Sequence, residues 1–366
     1  MARQAVALVP GFLGFDHRRG TTYFADRFVA GLRARLEAAC GAPFPVVPVT
    51  TSPVGSLAAR QERLLADLAK LDFKLGYPRW HLLGHSTGGV DCALLTRTHR
   101  LKRSRAGSVF SREPLRIARL ASITTVAAPH YGTGLARSPL ARVVRGQLTP
   151  AGFEGALRLG LDALQRDNWV SRVEFVLPSL LHNSKFYWNF FSNALATDLD
   201  PGVVGALTMT ENIRDEVPIT SFATYAPPPN LHNKDRLFAD LHRWTREGAL
   251  GVPPPPSAFP ELFASNVIAS SPDIPLIDAG SNDAVVNTNR QVYEGGVFGG
   301  LIVGDHGDVI GRYRRIDPLD RGMIDPGLLT SGANFGDEQF FAVLERIAES
   351  IARTARSAQG ALHAAE

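Results

Sequence analysis

The sequence predicts an α/β protein, with a mostly parallel central sheet, crossover helices and a helical cap or lid insertion. Three observations predict it. Apolar runs of strand length recur along the chain with helical segments between them. Those runs are apolar at nearly every position, as strands covered on both faces should be. One segment, 135–216, follows a strand yet carries only helix-like patterns, and it is too long for a plain crossover.

Ala5–Val9 is the first expected strand, and Pro10-Gly11 ends it. Phe44–Val49 is the second. Gly55–Leu71 then places Leu57, Leu64, Leu65, Leu68 and Leu71 at helical spacing. Ser56 can cap that helix by accepting a first-turn amide. Trp80–Leu83 reads as a strand and Gly88–Leu95 as the helix after it, with a tight turn between. Ala121–Ala127, Ile219–Tyr225, Ile274–Ala279 and Gly300–Val303 are the remaining strand candidates. The last helix, from about Asp337 to Ala355, puts Phe340, Leu344, Ile347 and Ile351 on one face. These elements divide the chain into a core in two parts, 1–134 and 217–356, around the insertion 135–216. A second long connection, 226–273, is bounded by Pro227–Pro229 and contains Pro253–Pro256. The Ala-rich tail 357–366 is expected to fray.

Composition narrows the function classes. The 366 residues are 45% hydrophobic and 20% charged, enough for a sizeable core. Thirty-nine Lys and Arg against 35 Asp and Glu leave a net charge of +4, too weak over this surface to imply nucleic acid. Two cysteines, Cys40 and Cys92, make neither a disulfide framework nor a tetrahedral zinc site. No apolar run approaches the roughly 18 residues of a membrane span. The N-terminus has no apolar leader and no small-residue cleavage site, so the expectation is a cytoplasmic chain, or a mature form whose leader was removed. The basic stretch Arg97–Arg119 reads as a solvated connection.

Gly84-His85-Ser86-Thr87-Gly88-Gly89 carries the chemistry. A serine on a sharp strand-to-helix turn takes strained backbone angles, and small neighbours let the turn close. The turn lifts the hydroxyl above the sheet and aims the helix N-terminus at a reacting oxygen. Ser86 is therefore the candidate nucleophile. A serine needs a base, and the base an orienting acid, in the chain order Ser, acid, His. His306 follows Gly300–Val303 on a loop and is the candidate base. Asp283, after Ile274–Ala279, is the candidate acid. The Phe12 and Thr87 backbone N–H groups are the candidate oxyanion donors.

These residues resemble the bacterial true-lipase branch of the α/β-hydrolase superfamily, in five segments in the family's order. They are the Gly11-Phe12 loop, the Gly-His-Ser-x-Gly-Gly elbow, Ala128-Pro129-His130-Tyr131-Gly132-Thr133, Ser281-Asn282-Asp283, and Asp305-His306-Gly307-Asp308. The resemblance implies an α/β-hydrolase fold and a lipase or carboxylesterase that needs no cofactor. It also implies a structural calcium near the histidine loop, with Asp308 as one carboxylate ligand and backbone carbonyls near Arg312 and Ile316 as others. The insertion lies where relatives place a lid, so Phe186, Trp188 and Phe190 are candidate substrate-binding residues. The expected partners are a small-molecule or lipid ester and a transient lipid interface. Other acyl-transfer enzymes on the same scaffold stay open: a polyester depolymerase, a phospholipase or an acyltransferase. A non-catalytic binding protein of the same fold is the further alternative.

Overall fold

The computed structural model describes residues 3–12, 14, 22–53, 55–76, 78–104, 107–115, 117, 119–138, 141, 197–208, 217–229, 235–253, 255, 260–268, 276–316 and 323–363. Its centre is a seven-stranded sheet built from β1 (Gln4–Val9), β2 (Val46–Pro48), β3 (Arg79–His85), β6 (Leu120–Val126), β7 (Ile219–Tyr225), β8 (Val267–Ile268) and β9 (Val297–Val303). The spatial order is β2-β1-β3-β6-β7-β9-β8, and every pairing is parallel. Strand β1 shows why both faces must be covered. Val6 and Leu8 point into one apolar cluster, while Ala5, Ala7 and Val9 point into another on the opposite face.

Helices α1 (Asp26–Cys40) and α7 (Asp337–His363) close the first face. They bring Phe28, Leu32 and Leu36 against Phe340, Leu344 and Ile347. Helix α2 (Leu57–Leu75) closes the other with Leu64 and Leu68, and its Ser56 cap accepts from the Ala59 N–H at 3.3 Å. Helix α3 (Thr87–Leu94) follows β3 directly. The chain steps from β1 outward to β2 and then back across β1 to β3, so the strand order reverses between β1 and β3. Open α/β sheets present their ligand crevice at that reversal, beyond the carboxyl ends of the strands.

Several expectations are corrected. Leu276–Asp278, inside the run expected as a strand, is extended loop, and the sheet takes its last edge from the two-residue β8 instead. Asp278 is the reason: its carboxylate accepts from the Gly280 and Ser281 N–H groups at 2.8 and 2.6 Å and folds the chain into a turn. The long connection 226–273 contains α5 (Arg236–Ala249) and α6 (Pro260–Ala264) and supplies β8. The basic stretch expected as a solvated connection folds into the antiparallel hairpin β4 (His99–Ser104) and β5 (Gly107–Pro114), with Leu101 turned into a small core. A second small hairpin joins β10 (Arg314–Ile316) and β11 (Met323–Pro326). Helix α7 runs to His363, through most of the tail expected to fray.

Of the expected cap, the two ends are described. The outgoing end makes a 3₁₀ turn at Gly134–Arg137 and the returning end enters α4 (Pro201–Thr208). Arg137 pairs with both carboxylate oxygens of Asp200 at 2.9 and 3.1 Å, which ties the ends together. Phe186, Trp188 and Phe190 lie outside the described residues. Among the described residues no helix is long and apolar enough to cross a membrane.

Candidate active site

Strand β3 ends at His85, α3 begins at Thr87, and Ser86 is the single residue between them, at φ 56° and ψ −135°. A non-glycine residue holds such angles only where its surroundings leave no alternative. Here the surroundings are backbone. A Cβ on Gly88 would overlap the Val9 carbonyl oxygen, and one on Gly84 would overlap the Gly88 carbonyl, so strand and helix meet at a distance that glycine alone permits. The Ser86 N–H donates to the Val126 carbonyl at 2.9 Å, which fastens the turn to β6.

The structure brings His306 and Asp283 together. The Asp283 carboxylate is fully buried, and His306 Nδ1 lies 2.8 Å from its Oδ2. A carboxylate only accepts, so Nδ1 carries the proton and Nε2 presents a lone pair. Asp283 is itself held from both oxygens. Oδ1 accepts from the Val285 and Val286 N–H groups at 3.0 and 2.7 Å, while the Thr224 hydroxyl donates to Oδ2. The main chain repeats the link, with the His306 N–H donating to the Asp283 carbonyl at 3.1 Å.

Ser86 reaches this pair through its neighbour. The His85 and His306 rings lie 4.6 Å apart between centroids, and His85 Nε2 is 2.9 Å from the His306 carbonyl oxygen. Among the described residues the Ser86 hydroxyl makes no hydrogen bond with His306, an arrangement common in unliganded sites that tighten around substrate. His85 Nδ1 lies 2.7 Å from the Tyr23 hydroxyl. Burial, with the nearby His306 adding to it, holds the His85 pKa well below the ordinary imidazole value, so its ring is neutral.

Both candidate oxyanion donors stand at the crevice. Thr87 N–H opens α3, and Phe12 is exposed in the turn after β1 that Gly14 closes by donating to the Gly11 carbonyl at 3.1 Å. A Cβ on Gly11 would lie 2.6 Å from both the Ser86 Cβ and the Tyr23 hydroxyl oxygen, so this loop touches the nucleophile turn directly.

One residue that sequence reasoning missed organises the loop. Arg60 of α2 is wholly buried, and its Nη2 lies 2.6 Å from Asp91 Oδ2 on α3. The same guanidinium donates to the carbonyls of Pro10 at 2.7 Å, Gly11 at 3.3 Å and Ser52 at 2.8 Å. It therefore clamps the Phe12 loop to the helix that follows Ser86. Burial raises the Asp91 carboxyl while the Arg60 charge opposes it. A signal was present: Arg60 occupies a core-facing position in the stripe that includes Leu57 and Leu64, where a charged residue needs a buried partner.

The structure does not show the expected calcium site at Asp308. Its Oδ2 accepts from the Asp305 N–H at 2.8 Å, and Asp305 returns Oδ1 to the Gly307 N–H at 3.0 Å, so the two carboxylates brace their own loop. The Arg312 carbonyl is taken by the Leu328 N–H at 2.7 Å, and the Arg312 guanidinium donates to the Thr22 carbonyl. Among the described residues no group of three His, Cys, Asp or Glu side chains could hold a metal ion. Asp308 braces its own loop, and no calcium site is assembled among the described residues.

No family model matches the sequence, and no curated protein matches it. Solved structures do. Lipase 1 from Pelosinus fermentans is 18% identical, with 96% of this chain and 99% of that one aligned at a TM-score of 0.52. Staphylococcus hyicus lipase is 15% identical over 97% and 96% of the two chains, also at 0.52. A metagenomic carboxyl esterase is 15% identical over 97% of this chain and 76% of its own, at 0.50. In fold, this chain is an α/β-hydrolase, the architecture it shares with these structures.

Proposed function

We propose that the chain is a serine ester hydrolase of the lipase and carboxylesterase kind, acting on apolar carboxylic esters through an acyl-enzyme. The observation that carries this reading is the buried Asp283–His306 pair, placed at the crevice where Ser86 is held in a positive-φ turn. As Ser86 Oγ attacks the ester carbonyl carbon, its proton passes to His306 Nε2. The carbonyl electron pair moves onto oxygen, and the Phe12 and Thr87 N–H groups receive that charge. Collapse of this intermediate expels the alcohol oxygen, which takes the proton from His306. Water then loses a proton to His306 and attacks the acyl-Ser86 bond, and Ser86 leaves with its hydroxyl restored. Asp283 keeps Nδ1 protonated throughout and stabilises the imidazolium. The side chains and two N–H groups complete the cycle without a cofactor.

The names of the structural neighbours, two lipases and a carboxyl esterase, agree with an ester substrate. Contact with a lipid interface, and acyl-chain binding by Phe186, Trp188 and Phe190, belong to the same proposal. Hydrolysis of p-nitrophenyl esters from acetate to palmitate, with Ser86→Ala beside the wild type, tests it. Cleavage of long chains that Ser86→Ala abolishes is the expected result. Preference for acetate or butyrate assigns the chain to the esterases. An inert wild type, or an equally active Ser86→Ala, overturns the reading.

A further inference from the structure

Tyr23 and His85 take no part in the steps above, yet they lie between every part that does. Tyr23 sits just ahead of α1 and is far from the elbow in sequence. Its hydroxyl nonetheless reaches His85 Nδ1 at 2.7 Å, and the same oxygen lies against Gly11 of the oxyanion loop. His85 precedes Ser86 in the chain, and its Nε2 reaches the His306 carbonyl at 2.9 Å. A carbonyl oxygen only accepts, so Nε2 must carry the His85 proton, and Nδ1 must then accept from the Tyr23 hydroxyl. Burial pushes that hydroxyl's pKa up, against the Gly11 backbone and the Arg60 charge, so Tyr23 stays a neutral donor. The chain Tyr23 O–H to His85 Nδ1, then His85 Nε2–H to His306 O, therefore has one direction.

We propose that Tyr23 and His85 are a positioning pair that sets the His306 imidazole against the oxyanion loop, so that base and oxyanion donors are aligned on one ester. The inference rests on the ester-hydrolase reading. His306 is held on one side by Asp283, through Nδ1 and through its own N–H. Those two bonds fix the Asp283 side of His306. The bond from His85 to the His306 carbonyl, and the His85 ring packed 4.6 Å from the His306 ring, hold the other side. Because the neutral His85 is anchored by Tyr23, and Tyr23 abuts Gly11, a shift of the oxyanion loop is transmitted to the base. Misplacement of reacting groups by even an ångström is costly in rate while leaving ground-state binding largely intact.

The test uses the full chain with Tyr23→Phe, His85→Leu and His85→Gln, a short-chain soluble ester, and a p-nitrophenyl phosphonate that traps Ser86. Tyr23→Phe is expected to lower kcat about tenfold or more with KM within about twofold, and to slow phosphonylation by the same factor. His85→Leu lowers both further. His85→Gln, whose amide N–H can still reach the His306 carbonyl, recovers most of the loss. In the wild type, 15N NMR should show His85 protonated at Nε2 alone from pH 6 to 8. Wild-type kcat in both Tyr23→Phe and His85→Leu overturns the proposal. So does a His85→Gln variant as impaired as His85→Leu, because ring volume would then matter and the bond would not. A wild type that neither cleaves the ester nor takes the phosphonate defeats the hydrolase reading itself, a different result from an active wild type with indifferent variants.

Discussion

Asp305 sits beside His306, fully buried, in a position no solvated carboxylate would choose. Burial pushes it up to about 7 against the Gly307 N–H that it accepts, and the Asp283 charge adds to the rise. Among the described residues its Oδ2 has no hydrogen-bond partner. The raised value has a definite sign in stability. Between about pH 4 and 7 the unfolded chain releases this proton and the folded one retains it. Stability is thus fully present below pH 4 and lost as the pH rises through 7. Asp305→Asn keeps an acceptor for the loop N–H groups and removes the titration. The melting temperature of the variant relative to wild type should therefore climb from pH 4 to about 7 and then level. A difference that stays flat across that range would show that Asp305 is ionised like a surface carboxylate. Asp283 differs because its oxygens are occupied by two N–H groups, a hydroxyl and the His306 ring, which replace the water it lost.

At the scale of elements, the strands that position the site were legible because most of their residues are buried. Ile219–Tyr225 matches its expected bounds, β1 differs from its own by a residue at one end, and β6 by a residue at each end. The Ser86 turn was legible because glycine spacing reports a steric limit, and His306 because it follows a strand, whereas Asp283 was reached from a run that is a loop in the structure. What failed was local hydrogen bonding by polar side chains. Asp278 turned an apolar run into a loop, and Asp308 faced its own loop when a cation had been expected there. Contacts between distant segments, such as Tyr23 with His85 and Arg60 with Pro10, leave almost no trace in a single sequence. The Arg60–Asp91 pair makes a prediction here. Arg60→Met leaves Asp91 as an unpaired buried charge and should cost about 3–5 kcal/mol in urea denaturation. Arg60→Met with Asp91→Leu replaces the pair by apolar groups and should recover most of that stability. It should not recover kcat, because the Pro10 and Gly11 carbonyls stay unclamped. A double variant as active as wild type would remove Arg60 from the account of the loop.

The whole molecule places its chemistry by topology. The strand order reverses between β1 and β3, and the loops leaving those two strands supply Gly11 with Phe12, and Ser86 with Thr87. The loop after β9 supplies His306, and the turn packed beside β7 supplies Asp283, which Thr224 of that strand holds. Strands buried on both faces fix these loop origins relative to one another, so residues more than two hundred positions apart in the chain share one crevice. If this crevice activates Ser86, covalent capture will reveal it. Incubation with diethyl p-nitrophenyl phosphate, followed by peptide mass spectrometry, should find one diethylphosphoryl group per chain, on Ser86. His306→Ala should slow that labelling by at least a hundredfold. Labelling at another residue, or a wild-type Ser86 no more reactive than the other serines of the chain, would contradict the account.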